Sequence, residues 1–272
     1  MKKYTYGITL SGGGARGFAH IGVLAALEAN GIEPGIISGA SMGAIIGALY
    51  ASGIKPEGIL EIAKNEKIYK LFNWSLPKKG MLSLDYLNSM LEENIDRDSF
   101  EALKKELYVS VSNITTGESE IFSKGPLFRA IIASASIPII FTPQVIDGNT
   151  YVDGGLLNDL PVEPLIGRCT HLIASHVNYT GPESELDSIK AIAERVYRLS
   201  VYQKVKTNFE KCDFIIDPPE LRKHGIFEFK HIDSLFDIGY KATENMIRKN
   251  SSRLFTENTV KSGNINILKH EN

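Results

Sequence analysis

The chain has 272 residues, of which 43% are hydrophobic and 23% are charged, and its formal net charge is −2. This length accommodates one large α/β domain, so we predict a single domain over residues 1–272. The composition excludes a disordered or fibrous protein. The near-neutral charge offers no excess of Lys and Arg for phosphate binding, so we expect no nucleic-acid partner.

The sequence predicts a cytoplasmic protein. Its two cysteines, Cys169 and Cys212, are too few and too far apart for a disulfide framework or a CxxC metal site. The basic N-terminus meets the glycine-rich residues 11–14 too early to form the apolar core of a signal peptide. No run approaches the roughly 18 apolar residues that a membrane-spanning helix needs. Any membrane contact is therefore predicted to be peripheral.

The predicted elements begin with two strand–helix units. Residues 4–10 are β-prone and end in a glycine cluster, and residues 18–30 have apolar side chains at helical spacing. A second short strand at Ile36 and Ile37 runs into an apolar helix that ends near Ser52. Two such units in succession indicate an α/β fold with a parallel sheet.

The segment 64–80 has a different character, with lysines alternating with large apolar side chains that include Phe72 and Trp74. We interpret it as a cap or lid. Two roles for its apolar residues stay open, namely insertion into a lipid interface and packing within the cap.

The remaining elements are predicted from periodicity and turn residues. The tail at 249–272 is polar and weakly periodic. Before it we expect a helix from about residue 83, a strand at 107–113 with a hairpin partner at 120–122, a helix around 128–132, a hairpin over 144–152, a strand at 171–177, a helix at 188–209 and a strand at 213–217.

The pentapeptide Gly39-Ala40-Ser41-Met42-Gly43 lies between a predicted strand and a predicted helix. A Gly-x-Ser-x-Gly sequence in this position is typical of a nucleophile elbow, a tight turn that lifts the serine Oγ above the sheet. Gly39 and Gly43 relieve crowding in such a turn. Ser41 is therefore a candidate nucleophile, and a turn of small residues packed for its own sake is the alternative.

A second glycine-rich segment follows the first strand and opens the first helix. Its backbone amides form a concavity suited to an anion, such as the oxyanion of an acyl-transfer reaction. The same residues match the GxGxxG pattern of dinucleotide-binding loops, which is the alternative. The segment consists of Gly12, Gly13, Gly14, Ala15, Arg16 and Gly17.

A serine nucleophile needs a base, for which a carboxylate is a better candidate here than a histidine. None of the histidines lies in a turn typical of a catalytic loop. Asp153 follows a predicted strand and precedes Gly154 and Gly155, a position from which its side chain can point into a cleft at the carboxyl edge of the sheet. An Asp-Gly turn is the alternative role. The histidines are His20, His171, His176, His224, His231 and His270.

The order and spacing of these motifs resemble the patatin-like phospholipase family. The glycine loop is followed by the Ser41 turn after about 25 residues and by Asp153-Gly154-Gly155 after about 110 more. The segments 133–138 and 158–161 are similar to further recurring segments of that family. The resemblance covers about residues 5–165, and the C-terminal hundred residues carry no recognised motif.

The resemblance implies a three-layer α/β fold, with a mostly parallel central sheet and helices on both faces. It implies that Ser41 is acylated, that Asp153 accepts its proton directly, and that amides near Gly13, Gly14 and Arg16 hold the oxyanion. No third catalytic residue, cofactor or metal is expected, and the expected partner is a lipid ester. The Arg16 side chain has two open roles, as a ligand for an anionic substrate group or as a structural arginine.

The expected reaction is hydrolysis of carboxylic esters of phospholipids, lysophospholipids or acylglycerols. Acyl transfer and thioester cleavage by the same nucleophile are alternatives within catalysis. A nucleotide-binding or non-catalytic interaction module is the alternative outside it.

Overall fold

The computed structural model describes residues 3–64, 83–182 and 186–255 of the chain. The predicted cap at 64–80 therefore lies outside the described residues, apart from Lys64. Of the predicted tail at 249–272, only residues 249–255 are described.

The described strands form one mixed sheet. They are β1 (Tyr4–Leu10), β2 (Ile36–Ala40), β3 (Glu106–Asn113), β4 (Glu118–Phe122), β5 (Gln144–Ile146), β6 (Asn149–Asp153), β7 (Cys169–Ser175) and β8 (Phe214–Ile216). The strands β3, β2, β1, β7 and β8 lie side by side in this order and run parallel. β4 and β6 pair antiparallel with β3, and β5 pairs antiparallel with β6. The mostly parallel sheet predicted from the sequence is thus confirmed.

Strands β2 and β6 meet end to end along one edge of β3. Residues 106–110 of β3 pair in parallel with β2, and residues 111–113 pair antiparallel with β6. Residues 109–113 also bond to β4. Because a strand has two edges, β6 must lie on the edge used by β2. The carboxyl ends of the two strands therefore face each other, and Asp153 reaches the carboxyl edge of the parallel strands from the opposite direction.

Helices connect and cover these strands. They are α1 (Ala19–Ala29), α2 (Met42–Ala51), α3 (Pro56–Lys64), α4 (Asp85–Asn94), α5 (Leu127–Ser134), α6 (Gly155–Asn158), α7 (Ile189–Phe209) and α8 (Ile232–Leu254). Most lie where a helix is predicted, but no element is predicted from the sequence between 218 and 248, where α8 begins. Within the described ranges, no helix has both the length and the apolar composition needed to cross a membrane.

Helix α8 continues into the stretch that the sequence suggests is a polar tail. Its last residue, Leu254, is fully buried, and the Leu254 carbonyl accepts a hydrogen bond of 3.0 Å from the Tyr6 hydroxyl on β1. The end of α8 is therefore held against the sheet through Leu254.

The sheet is covered on both faces, as the predicted three-layer fold requires. Successive side chains of a strand point to opposite faces. On β2, Ile37 packs into the larger core together with residues of α1, α2 and α8. The adjacent Ile36 packs into a second core with Leu160 and with Val205 of α7. Helices thus lie on either side of a central sheet.

Helices α1 and α8 cross at unusually close range, because each has a glycine at the crossing. A β-carbon added to Gly22 would overlap the Phe236 carbonyl oxygen, and one added to Gly239 would overlap the Ala19 carbonyl oxygen. The contact leaves no room for a methyl group on either side. This crossing fixes α8 against the helix that follows the glycine loop.

We predict that Gly22→Ala or Gly239→Ala lowers the free energy of unfolding by about 1–3 kcal/mol, the usual cost of overpacking a core. The sign of this change distinguishes a close crossing from an open position, because Gly→Ala in an open helix position raises the free energy of unfolding by up to about 1 kcal/mol. Gly58→Ala on α3 is the control, since a β-carbon there meets only the Ile54 side chain, at 3.0 Å. Chemical denaturation of the three variants checks this, and equal stability of all three would contradict the close crossing.

Candidate active site

Ser41 lies in a strained turn between β2 and α2. Its φ of 51° and ψ of −122° fall in a region that residues other than glycine rarely adopt. A β-carbon on Gly39 would lie 2.6 Å from the Gly43 carbonyl, and one on Gly43 would overlap the Leu10 carbonyl oxygen. The Ser41 amide donates a 2.9 Å hydrogen bond to Ser134 Oγ. The turn is thus held by close backbone packing and by a hydroxyl from α5.

Asp153, the last residue of β6, contacts Ser41 directly. Ser41 Oγ donates a hydrogen bond of 2.6 Å to Asp153 Oδ2, and the Gly155 amide donates one of 2.7 Å to Oδ1. The Gly154 amide donates to the Ser134 carbonyl at 3.2 Å, and a β-carbon on Gly154 would overlap the Ser110 carbonyl oxygen. Both carboxylate oxygens are therefore bonded, and the backbone that follows is fixed by close contact with β3.

The environment of Asp153 makes its carboxylate unusually basic. Burial raises the pKa of Asp153 to about 7, although the hydrogen bonds from Ser41 and Gly155 act in the opposite direction. The negative charge of Asp159 raises the pKa further. A carboxyl group with a pKa near neutrality can both accept and return a proton in this pH range.

The glycine loop presents two unused amides beside this pair. Three other amides of the loop are engaged: Gly12 donates to Asp159 Oδ1 at 3.0 Å, Ala15 to the Ile226 carbonyl at 2.8 Å, and Arg16 to the Gly13 carbonyl at 3.2 Å. Among the described residues, the amides of Gly13 and Gly14 have no hydrogen-bond acceptor. Of the amides predicted to bind an anion, those of Gly13 and Gly14 are therefore the ones available, and the Arg16 amide is not.

The backbone of Gly13 and Gly14 requires glycine for two reasons. Both have positive φ, of 151° and 54°. A β-carbon on Gly13 would overlap Val177, and one on Gly14 would overlap the Ile226 carbonyl oxygen. Gly17 is needed elsewhere, since a β-carbon there would overlap Met42 at the start of α2.

The Arg16 side chain is buried and bound to the protein. Its Nε donates a 2.7 Å hydrogen bond to the His224 carbonyl, and Nη1 lies 3.5 Å from Asn178 Oδ1. Arg16 is not among the described residues that line the cavity at Ser41. This arrangement favours the structural role over that of a ligand for an anionic substrate group.

A cavity of about 120 Å³ opens beside Ser41. Gly13, Gly14, Ser41 and Asp153 share its wall with the apolar side chains of Ile137, Val201, Val205 and Ile226 and with Tyr202 of α7. Polar residues line part of the cavity as well, namely Asp159, His176, Asn178, Thr180 and Arg198, but most of its surface is apolar. Such a space suits a substrate with a hydrocarbon portion.

A buried polar network supports the glycine loop from behind, and sequence reasoning did not identify it. Asp159 accepts from the Gly12 amide, and His176 Nε2 lies 4.0 Å from Asp159 Oδ2. His176 Nδ1 forms a 2.8 Å hydrogen bond with Asp217 Oδ1. Asn178 Nδ2 donates to the Gly12 carbonyl at 3.1 Å. The network ties the loop to β7 and to the end of β8.

Ser134 and Asp159 lie in the segments 133–138 and 158–161, so the sequence marks their positions without indicating their contacts. His176 and Asn178 carry no comparable signal, because they approach the loop only through the pairing of β1 with β7.

The hydrogen bond from the Ser41 hydroxyl goes to a carboxylate and not to a histidine. His20 lies next to the start of the loop, His176 lines the cavity, and both have other partners. His20 bonds to Ser175 Oγ and to the Ser11 carbonyl, and burial lowers its pKa to about 4. His176 bonds to Asp217. This geometry agrees with the expectation that Asp153, and no histidine, is the partner of Ser41.

A family model for patatin-like phospholipases matches residues 8–166, more than half of the chain. The chain therefore belongs to the patatin-like phospholipase family. The match covers the glycine loop, the Ser41 turn and Asp153.

Two relatives illustrate the relationship. The chain is 34% identical over 163 residues to an uncharacterized NTE family protein of Mycobacterium bovis, covering 59% of this chain and 45% of that protein. It is 25% identical over 276 residues to Lysophospholipase NTE1 of Pyricularia oryzae, covering 89% of this chain and 18% of that protein. The chain spans less than half the length of these relatives. A solved structure, VipD from Legionella pneumophila, aligns with a TM-score of 0.47 and 16% identity over 86% of this chain and 67% of that one.

We predict that Asp159→Asn changes the pH dependence of the expected ester hydrolysis: the fall in rate on acidification should occur at lower pH than in the wild type. The charge of Asp159 raises the pKa of Asp153, so its removal lowers that pKa, and Asp153 stays ionised further into the acid range. Asparagine keeps an oxygen to accept from the Gly12 amide. The wild-type rate should fall as the pH drops through about 7. A fall in rate at unchanged or higher pH in the variant would contradict this electrostatic coupling.

Proposed function

We propose that this protein is a serine acyl hydrolase that cleaves carboxylic esters of lipids through an acyl-enzyme, with Ser41 and Asp153 as a catalytic dyad. One observation carries the proposal: Ser41 Oγ donates a 2.6 Å hydrogen bond to a buried carboxylate beside the unused amides of Gly13 and Gly14. Nucleophile, base and oxyanion donors are the groups that acyl transfer requires.

In the first half of the proposed reaction, Asp153 takes the Ser41 hydroxyl proton as Oγ attacks the ester carbonyl carbon. The amides of Gly13 and Gly14 donate to the oxyanion of the tetrahedral intermediate, which is typically worth about 3 kcal/mol of barrier for each donor. The carbon–oxygen bond to the leaving alcohol then breaks, and Asp153 gives its proton to that alcohol.

In the second half, Asp153 takes a proton from water, and the hydroxide attacks the acyl carbon. The bond to Ser41 Oγ breaks, and Oγ recovers its proton from Asp153, which leaves the carboxylic acid as product. A pKa of about 7 suits Asp153 to both roles, because a base and its conjugate acid are then both accessible near neutral pH.

A lipid ester is the substrate class that the cavity favours. The apolar side chains of Ile137, Val201, Val205 and Ile226 line it, and transfer of an acyl chain into such a space is worth about 0.8 kcal/mol for each CH₂ group. The proposal also agrees with the family to which the chain belongs and with the name of the relative Lysophospholipase NTE1. Phospholipid, lysophospholipid and acylglycerol esters all fit this description.

We predict that Ser41→Ala abolishes ester hydrolysis and labelling by a fluorophosphonate probe, because both need the hydroxyl. Asp153→Asn keeps the size of the side chain but cannot accept a proton, so turnover should fall by roughly 10²- to 10⁴-fold. His20→Gln and His176→Gln should each retain more activity than Asp153→Asn. Rates on a short-chain ester, with circular dichroism as a folding control, check these outcomes.

A fully active Asp153→Asn variant beside an inactive histidine variant would replace the dyad with a histidine-dependent mechanism. Absence of labelling in the wild type would instead favour a non-catalytic module. Faster product formation with added alcohol or thiol acceptors would identify an acyltransferase.

We further propose that the protein reaches its substrate at a lipid surface through helix α7. Ile189, Ile192, Val196 and Leu199 are all exposed, Ile189 by 88% and Val196 by 60%. At 100° per residue they form one stripe, on the side opposite to the cavity-lining Val201 and Val205. Helix α7 therefore separates the cavity from an apolar outer surface, as expected of a helix that lies on a membrane.

We predict that the double variant Ile192→Asp/Val196→Asp loses activity on phospholipid vesicles by about tenfold or more, since burial of one such side chain is worth about 1.5–3 kcal/mol. Hydrolysis of a soluble ester should stay unchanged. Gln203→Asp is the matched control, because it adds a charge on the same side of α7 beyond the apolar stripe. An equal loss on vesicles and soluble ester would rule out a specific interfacial role.

A further inference from the structure

Three side chains of the types that bind metals converge between β8 and α8. His224, Glu228 and His231 each offer one ligand atom, and these atoms all lie within 4.8 Å of one another. The two imidazole rings are 5.3 Å apart between centroids. Zinc bonds of about 2.0–2.1 Å at tetrahedral angles place ligand atoms about 3.3 Å apart. Closing the site around an ion therefore requires the ligand atoms to approach one another by up to about 1.5 Å.

The backbone already brings these residues together. His224 follows the 3₁₀ turn Pro219–Lys223, and His231 ends the 3₁₀ turn Phe229–His231. Between them, the Glu228 amide donates to the Gly225 carbonyl at 3.1 Å, and the Gly225 amide donates to Glu228 Oε2 at 3.1 Å. The second bond orients the carboxylate, as outer-shell hydrogen bonds do for metal ligands.

The same turn holds the glycine loop. Ile226, between two of the three side chains, accepts from the Ala15 amide at 2.8 Å through its carbonyl. The His224 carbonyl accepts from Arg16 Nε at 2.7 Å. Any restraint on residues 224–228 therefore acts on the loop that carries Gly13 and Gly14.

We propose that His224, Glu228 and His231 bind a divalent transition-metal ion of the Zn²⁺ class, and that the bound ion fastens the turn that anchors the glycine loop. Two imidazoles and one carboxylate bind zinc in sites that have three protein ligands and leave the fourth position to water. The family resemblance leads us to expect no metal in the reaction, and the ion proposed here takes no part in bond breaking. Neither part of the proposal depends on hydrolase activity.

Binding is tested with the untagged full chain, first freed of metal by chelation. We expect Zn²⁺ to bind with one-to-one stoichiometry in calorimetry, and Co²⁺ to give the visible absorption of a tetrahedral site. Glu228→Gln keeps the acceptor for Gly225 but removes the charged ligand, so it should weaken binding by at least the roughly 10- to 100-fold that loss of an outer-shell partner costs. His231→Gln should do the same.

Glu220→Gln, an exposed acid in the adjoining 3₁₀ turn, is the matched control and should bind as the wild type does. Absence of binding to the wild type, or equal binding to all of these variants, would overturn the site.

The effect on the loop is tested by hydrogen–deuterium exchange of residues 11–18. We expect saturating Zn²⁺ to slow exchange of the Ala15 amide severalfold in the wild type and to leave it unchanged in Glu228→Gln. If the wild type binds Zn²⁺ and the exchange of this segment does not change, the ion does not fasten the loop.

Discussion

The contact between Ser41 and Asp153 depends on the way β3 holds two strands on a single edge. β2 and β6 approach each other from opposite directions, and their last residues pair with adjacent residues of β3. A side chain at the end of one strand then necessarily faces the end of the other. The backbone hydrogen bonds of a rigid sheet, rather than flexible loops, therefore set the 2.6 Å separation of the two oxygens. Such preorganisation avoids the cost of arranging the groups during a reaction.

Burial of two carboxyl groups around this junction gives the site its electrostatic character. Asp153 and Asp159 lie on either side of Gly155, where a β-carbon would be about 3 Å from an oxygen of each. Burial raises the pKa of both aspartates. The hydrogen bonds to Asp159 from Gly12 and to Asp153 from Gly155 partly offset the cost of burying charge. The same arrangement that fixes the glycine loop thus makes the neighbouring carboxylate a stronger base.

Local pattern was sufficient to predict the elements that carry the site. The strand before Ser41, the helix after it and the hairpin that ends at Asp153 all lie close to their predicted positions, because each has a short-range signal in periodicity or in turn residues. Contacts between segments that are distant in the chain have no such short-range signal in the sequence. The sequence leaves two roles open for Arg16, as an anion ligand and as a structural arginine. Only the position of the His224 carbonyl shows how its guanidinium is bound.

Helix α8 is not among the predicted elements, although its buried residues, such as Leu235, Met246 and Ile247, recur at helical spacing. Only the structure shows that Gly239 allows the close crossing with α1. Ser134 and Asp159 lay within recognised segments, yet their roles follow from tertiary packing that no local rule contains. The position of β6 could not be predicted either, because the sequence of a hairpin does not indicate which edge of the sheet the hairpin joins.

The attachment of the glycine loop to residues 224 and 226 has a consequence for the substitutions that this chain tolerates. The family match ends at residue 166, but the loop is secured by two main-chain carbonyl groups far beyond it. Every amino acid supplies the same carbonyl, so this support places no demand on side-chain identity at either position. A substitution at residue 224 or 226 therefore keeps the anchor, provided that the backbone follows the same path. The position of the glycine loop depends on where the chain returns and not on which side chains these two residues carry.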